Sequence, residues 1–125
     1  MPRKKKTEPW EPLISVITEA MADRKAREPV ILNLSGIKGA VCDAFVICHG
    51  TSVTQVEAIS NHLIREVRKK TGIHPGHTEG MENAEWILID YFDVVIHVFL
   101  EERRKFYNLE QLWADAEVMR VDSHE

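Results

Sequence analysis

Between Trp86 and Phe99 the chain reads Trp-Ile-Leu-Ile-Asp-Tyr-Phe-Asp-Val-Val-Ile-His-Val-Phe. Two apolar, largely β-branched runs around a two-residue link predict a hairpin. A two-residue loop fixes the register of its strands. With Tyr91-Phe92 as the loop, Asp90 is expected opposite Asp93 and Ile89 opposite Val94. Leu88 then faces Val95, Ile87 faces Ile96 and Trp86 faces His97. Side chains alternate across a sheet, so each face can be written down. One face holds Ile87, Ile89, Val94, Ile96 and Val98, all aliphatic and suited to a core. The other carries Trp86, Leu88, Val95, His97 and the two aspartates. Function is sought on this mixed face.

The rest of the chain supplies layers for the hairpin. Leu13, Ile14, Ile17, Ala20 and Met21 recur at helical spacing and predict a helix from about Leu13 to Arg27, stopped by Pro29. Val30 to Leu34 reads as a short strand, and Gly36 and Gly39 mark a loop. Asp43 to Cys48 is apolar on both faces, the pattern of a central strand. Ser52, with Gln55 three residues on, is a capping box for a helix whose stripe is Val53, Val56, Ile59, Leu63, Ile64 and Val67. Gly72 ends that helix, and Arg68, Lys69 and Lys70 suit its negative pole. Ile73 to Ala84 reads as irregular. After the hairpin, Glu101 and Glu102 ahead of Arg103, Arg104 and Lys105 favour a short helix, and Asn108 suits an N-cap for Leu109 to Trp113. Beyond Glu117 the chain is polar and is expected to fray.

The expected class is therefore α/β: a small mixed β-sheet of four or five strands with helices packed against it. At 125 residues one core is expected, in a single domain over residues 9–117 between tails at 1–8 and 118–125.

Charge narrows the partners. The formal net charge is −4 despite the basic opening Met1-Pro2-Arg3-Lys4-Lys5-Lys6, so the folded part is more acidic still. Direct nucleic-acid binding normally needs a basic patch, and a basic protein is the better partner for this surface. No sequence-specific nucleic-acid binding is expected. No apolar run approaches the roughly 20 residues that span a bilayer, so no membrane helix is expected. Cys42 and Cys48 are too far apart along an extended chain to bridge and read as reduced thiols, consistent with a cytoplasmic protein.

Catalytic readings are weak. Gly50-Thr51-Ser52, between a strand and a helix, resembles the glycine-serine turn of nucleotidyltransferases. That chemistry needs neighbouring carboxylates to hold magnesium, and Val53-Thr54-Gln55-Val56 follows instead. His74, His77 and Glu79 offer metal ligands, but in a Pro/Gly loop where surface histidines are the simpler reading. A binding module without catalytic residue, metal or cofactor is expected, with a nucleotidyltransferase-like enzyme as the alternative.

Three ordered stretches resemble a known family. They are Asp43-Ala44-Phe45-Val46-Ile47-Cys48-His49-Gly50-Thr51-Ser52 with Gln55-Val56 and Ala58-Ile59; Glu79-Gly80 with Trp86 to Tyr91 and Asp93 to Phe99; and Arg104 with Phe106 to Glu110 and Leu112-Trp113. Their order and spacing resemble the ribosomal silencing factors, or Iojap-like proteins, from about Leu13 to Ala116. The resemblance implies a nucleotidyltransferase-like fold without transferase activity. It implies binding to the large ribosomal subunit through ribosomal protein fourteen, blocking its joining with the small subunit. It also implies a homodimer for the isolated protein. Where the family usually has glycine, this chain has Phe92. Recognition of a basic ribosomal protein calls for acidic groups and aromatic anchors. Glu79, Asp90 and Asp93, with Glu82 and Glu85, are the acidic candidates; Trp86, Tyr91, Tyr107 and Trp113 are the anchors; and His97 shares their face.

Overall fold

A computed structural model describes residues 9–120; the tail expected at 1–8 and the last five residues of the tail expected at 118–125 lie outside them. The order is α1 (Glu11–Asp23), β1 (Arg27–Asn33), β2 (Ala44–Gly50), α2 (Val53–Thr71), β3 (His77–Glu79), β4 (Trp86–Asp90), β5 (Val94–Leu100), α3 (Glu101–Tyr107), α4 (Leu109–Leu112) and β6 (Glu117–Arg120). The strands form one sheet in the order β3-β4-β5-β2-β1-β6. β2 and β5 run parallel, and the other pairs are antiparallel. β2 is buried along its whole length between β5 and β1, as its two apolar faces predict.

Each sheet face has its own apolar cluster. Ile87, Ile89, Val94, Ile96 and Val98 pack with Ile14, Ile17 and Met21 of α1 and Val56, Ile59, Leu63 and Val67 of α2. The opposite face gathers Val30, Leu32, Phe45, Ile47, Val95 and Phe99 with Leu109 and, at its margin, Trp86, Leu88 and Trp113. α2 begins and ends as its sequence dictates. Ser52 Oγ accepts from Gln55 N–H at 3.1 Å, and Gly72 closes the helix at φ 76°.

The hairpin differs from expectation by one residue at its tip. Tyr91 N–H donates to the Val94 carbonyl at 2.9 Å, so the turn is Phe92-Asp93. Asp90 pairs with Val95, Leu88 with His97 and Trp86 with Phe99. The two aspartates do not face one another. Moving a two-residue turn by one residue slides the pairing by two, which leaves the face of every side chain unchanged. The turn is held by Asp90, whose Oδ1 accepts from Phe92 N–H at 2.7 Å. Phe92 has φ 72°, the left-handed backbone that favours glycine. The Asp93 carbonyl accepts from Asp43 and Ala44 N–H and ties the turn to the start of β2.

The sheet has six strands rather than four or five. β3 lies in the stretch expected to be irregular, and Glu117–Arg120 pairs with β1 where fraying was expected. α1 ends at Asp23, short of Arg27. Pro29 then falls inside β1, in a bulge between Arg27 and Val30 where its missing N–H breaks no ladder bond. Asn108 gives no side-chain cap; at φ 47° and ψ 57° it is the left-handed joint between α3 and α4.

Candidate protein-binding face

The strand pairings place Glu79, Leu88, His97, Ile47 and Val30 in one row across the mixed face. The next row is His77, Asp90, Val95, Phe45 and Leu32. α4 covers the Val30 and Phe45 end: Leu109 is buried in that cluster, and the Trp113 ring meets Phe45 edge-on at 5.7 Å. Leu88 and Asp90, toward the other end, remain half-buried, and Glu79 is exposed.

Trp86 anchors this open end. It is half-buried, with its ring centroid 5.0 Å from Phe99 and 4.5 Å from Tyr107. Its Nε1–H donates to His97 Nδ1 at 3.1 Å. An indole can only donate, so Nδ1 accepts and the imidazole proton of the neutral ring sits on Nε2. His97 is 4% exposed, and burial pulls its pKa down to about 4. A neutral His97 therefore holds Trp86 in place from beneath. Tyr107 is 43% exposed and borders an open pocket of about 260 Å³ with Gly80, Asn83, Glu85, Trp86 and Arg103.

The candidate residues separate by position. Glu79, Trp86, Asp90 and Tyr107 gather on or around the open end, whereas Trp113 lies at the covered end against Phe45. Asp93 is exposed at the hairpin tip, displaced from Asp90 by the register. Tyr91 is a correction. Alternation sends it to the opposite side, where it is 4% exposed in the α1–α2 cluster and burial pushes its hydroxyl up to about 12. It packs the core and presents no anchor. His97 is a second correction: its neighbours cover it, so it positions Trp86 instead of meeting a partner.

One supporting group has no signal in helical periodicity. Arg104 in α3 is 8% exposed. Its Nε and Nη2 donate to the two Glu110 oxygens at 3.1 and 3.3 Å. Its Nη1 donates to His49 Nδ1 at 2.9 Å and to the Arg27 carbonyl at 3.3 Å. Desolvation first, and then the Arg104 charge, lower the His49 pKa. This knot fixes α3 and α4, which carry Tyr107 and Leu109, to the ends of β1 and β2. The charge order of Glu101 to Lys105 predicts the helix, but only the fold shows which arginine turns inward.

The other chemical candidates are engaged in structure. Ser52 caps α2, and Gln55 Oε1 accepts from Thr51 N–H at 2.8 Å. His77 pairs with Glu79 at 3.1 Å, and among the described residues His74 does not join them in a ligand cluster. Cys42 and Cys48 are free thiols, and burial pushes them up to about 11 and about 12. No described helix is long and apolar enough to cross a membrane.

Comparison with known proteins agrees with the motifs. The sequence model of the family described as "Ribosomal silencing factor during starvation" matches residues 7–125. A ribosomal silencing factor of Halalkalibacterium halodurans is 44% identical over 110 residues, covering 88% of this chain and 92% of that protein. A crystal structure from Bacillus halodurans superposes with a TM-score of 0.73 at 42% identity, covering 90% of this chain and 98% of the other. A mouse protein named for mitochondrial assembly of the ribosomal large subunit is 36% identical over 73 residues, covering 57% of this chain but 32% of its own length. On the length of the family match and the identity of its relatives, this chain belongs to the ribosomal silencing factor family.

Proposed function

We propose that the protein binds the large ribosomal subunit through ribosomal protein fourteen, covers the surface that meets the small subunit, and so represses translation in the cytoplasm without catalysis. The open end of the mixed face carries this reading. Leu88 lies there half-buried opposite Glu79, flanked along β4 by Trp86 and Asp90, with Tyr107 against Trp86. An apolar centre rimmed by carboxylates suits a basic protein partner. The mouse relative named for large-subunit assembly supports the same subunit.

The mechanism requires occupancy alone. Purified protein added to separated subunits should lower the yield of joined ribosomes with no nucleotide present. Ser52→Ala should act like the parent, because Ser52 serves the α2 cap. Inhibition that needs a hydrolysable nucleotide and is lost in Ser52→Ala would instead favour nucleotidyl transfer.

A further inference from the structure

On the helical side of the molecule, far along the chain from the hairpin motifs, α1 and α2 bring together three metal-ligating side chains. Asp23 is the last residue of α1. His62 and Glu66 lie four residues apart on α2 and therefore on one face of it. One ligand atom from each lies within 4.8 Å of the other two, and His62 Nε2 is 2.9 Å from Asp23 Oδ2. It is the one group of this kind among the described residues.

We propose that Asp23, His62 and Glu66 form a site for a divalent transition-metal ion of the zinc type. The ligand set of one imidazole nitrogen and two carboxylate oxygens matches the preference of such ions. Ligand bonds of about 2.0–2.2 Å set donor atoms about 3.3–3.6 Å apart around a tetrahedral ion. The present atoms, 2.9 Å apart for His62 and Asp23 and all within 4.8 Å of one another, span a range that brackets that spacing. His62 and Glu66 are mostly shielded, with side chains 13% and 18% exposed, while Asp23 at 56% leaves an entry path and room for water as fourth ligand.

Charge favours a cation here. Asp23 puts a carboxylate at the negative pole of α1, where a helix prefers positive charge. Lys70 is shared between Glu66 at 3.7 Å and Glu19 at 3.6 Å. An ion that takes Glu66 leaves Lys70 paired with Glu19. Asp23, Glu66 and Glu19 with Lys70 carry two uncompensated negative charges, which a divalent ion neutralises. To bind the metal through Nε2, a neutral His62 carries its ring proton on Nδ1 instead.

Calorimetric titration of the chelator-stripped full chain with Zn²⁺ tests the site. The parent should take up one ion per chain at this site. His62→Gln and Glu66→Gln should each weaken that uptake by roughly tenfold or more. His77→Ala, which removes the exposed pair with Glu79, should leave it unchanged. At one Zn²⁺ concentration the melting temperature of the parent and of His77→Ala should rise by more than that of either α2 variant, because the ion joins two helices only in the folded state. The proposal is overturned if the parent binds no Zn²⁺ at large excess, if both α2 variants bind it like the parent, or if His77→Ala removes the uptake.

Discussion

Gly80 has φ 82°, and a Cβ there would collide with the Trp86 carbonyl oxygen. Gly80→Ala therefore strains the turn and pushes the strand that carries Trp86. Its urea midpoint should fall by the equivalent of about 2 kcal/mol or more. The Glu79-Gly80 motif was legible in the sequence, but the reason for its glycine was not, since the obstacle lies in β4, across the turn. His97 sets a pH dependence. Burial favours its neutral form, so its pKa of about 4 lies below the ordinary 6.5. The folded state then binds fewer protons than the unfolded one between those values. The stability His97 provides is complete above about pH 6.5 and is lost as pH falls toward 4, on the order of 3 kcal/mol. Chemical denaturation from pH 7.5 to 4.5 should show this fall. His97→Asn keeps an acceptor for Trp86 and should flatten the curve, with a residual slope from His49, whose pKa is also lowered. The fates of Tyr91 and His97 show what a residue pattern omits. Alternation gave the face of His97 correctly, while Tyr91, expected in the loop, in fact continues β4 toward the aliphatic side; which elements cover each face decides whether a ring packs or binds.

At the scale of elements, the strongest local signals were the Ser52 cap, the glycine stop at Gly72 and the two-sided apolar pattern of β2, and each appears in the structure, although Gln55 reaches back to Thr51 N–H and not to Ser52. The hairpin was legible in its faces but not in its tip, because a turn at Phe92-Asp93 places Phe92 in backbone that disfavours it. The Asp90 carboxylate that bonds Phe92 N–H and the Asp43 and Ala44 N–H groups that bond the Asp93 carbonyl favour that tip, and they come from turn chemistry and from another strand. β3 and β6 were missed because three or four residues at a sheet edge have almost no periodicity to read. The α3–α4 unit depends on Arg104. Arg104→Met removes the donors to Glu110, His49 and the Arg27 carbonyl together. The loss in thermal or urea denaturation should be on the order of 2–4 kcal/mol, toward the lower end because Glu110 keeps partial contact with water. Arg104→Lys should recover little, because one ammonium lacks the planar fork that meets both partners.

The whole molecule divides its labour between the two sides of one sheet. α1 and α2 close one side over an aliphatic core, while the short α3 and α4 cover only part of the other. The open remainder combines Trp86 and Leu88 with acidic neighbours, on a protein whose net charge is −4. Association with a basic partner through such a face should weaken as salt rises, since exposed charges are screened beyond about 8 Å at physiological ionic strength. The most direct test is co-sedimentation of the purified protein with separated ribosomal subunits. The parent should travel with the large subunit and not the small one. Leu88→Arg, which puts a positive charge at the centre of the open face without opening the aliphatic core, should lose that association while keeping its fold. Sedimentation with the small subunit, or Leu88→Arg following the large subunit as strongly as the parent, would contradict the account.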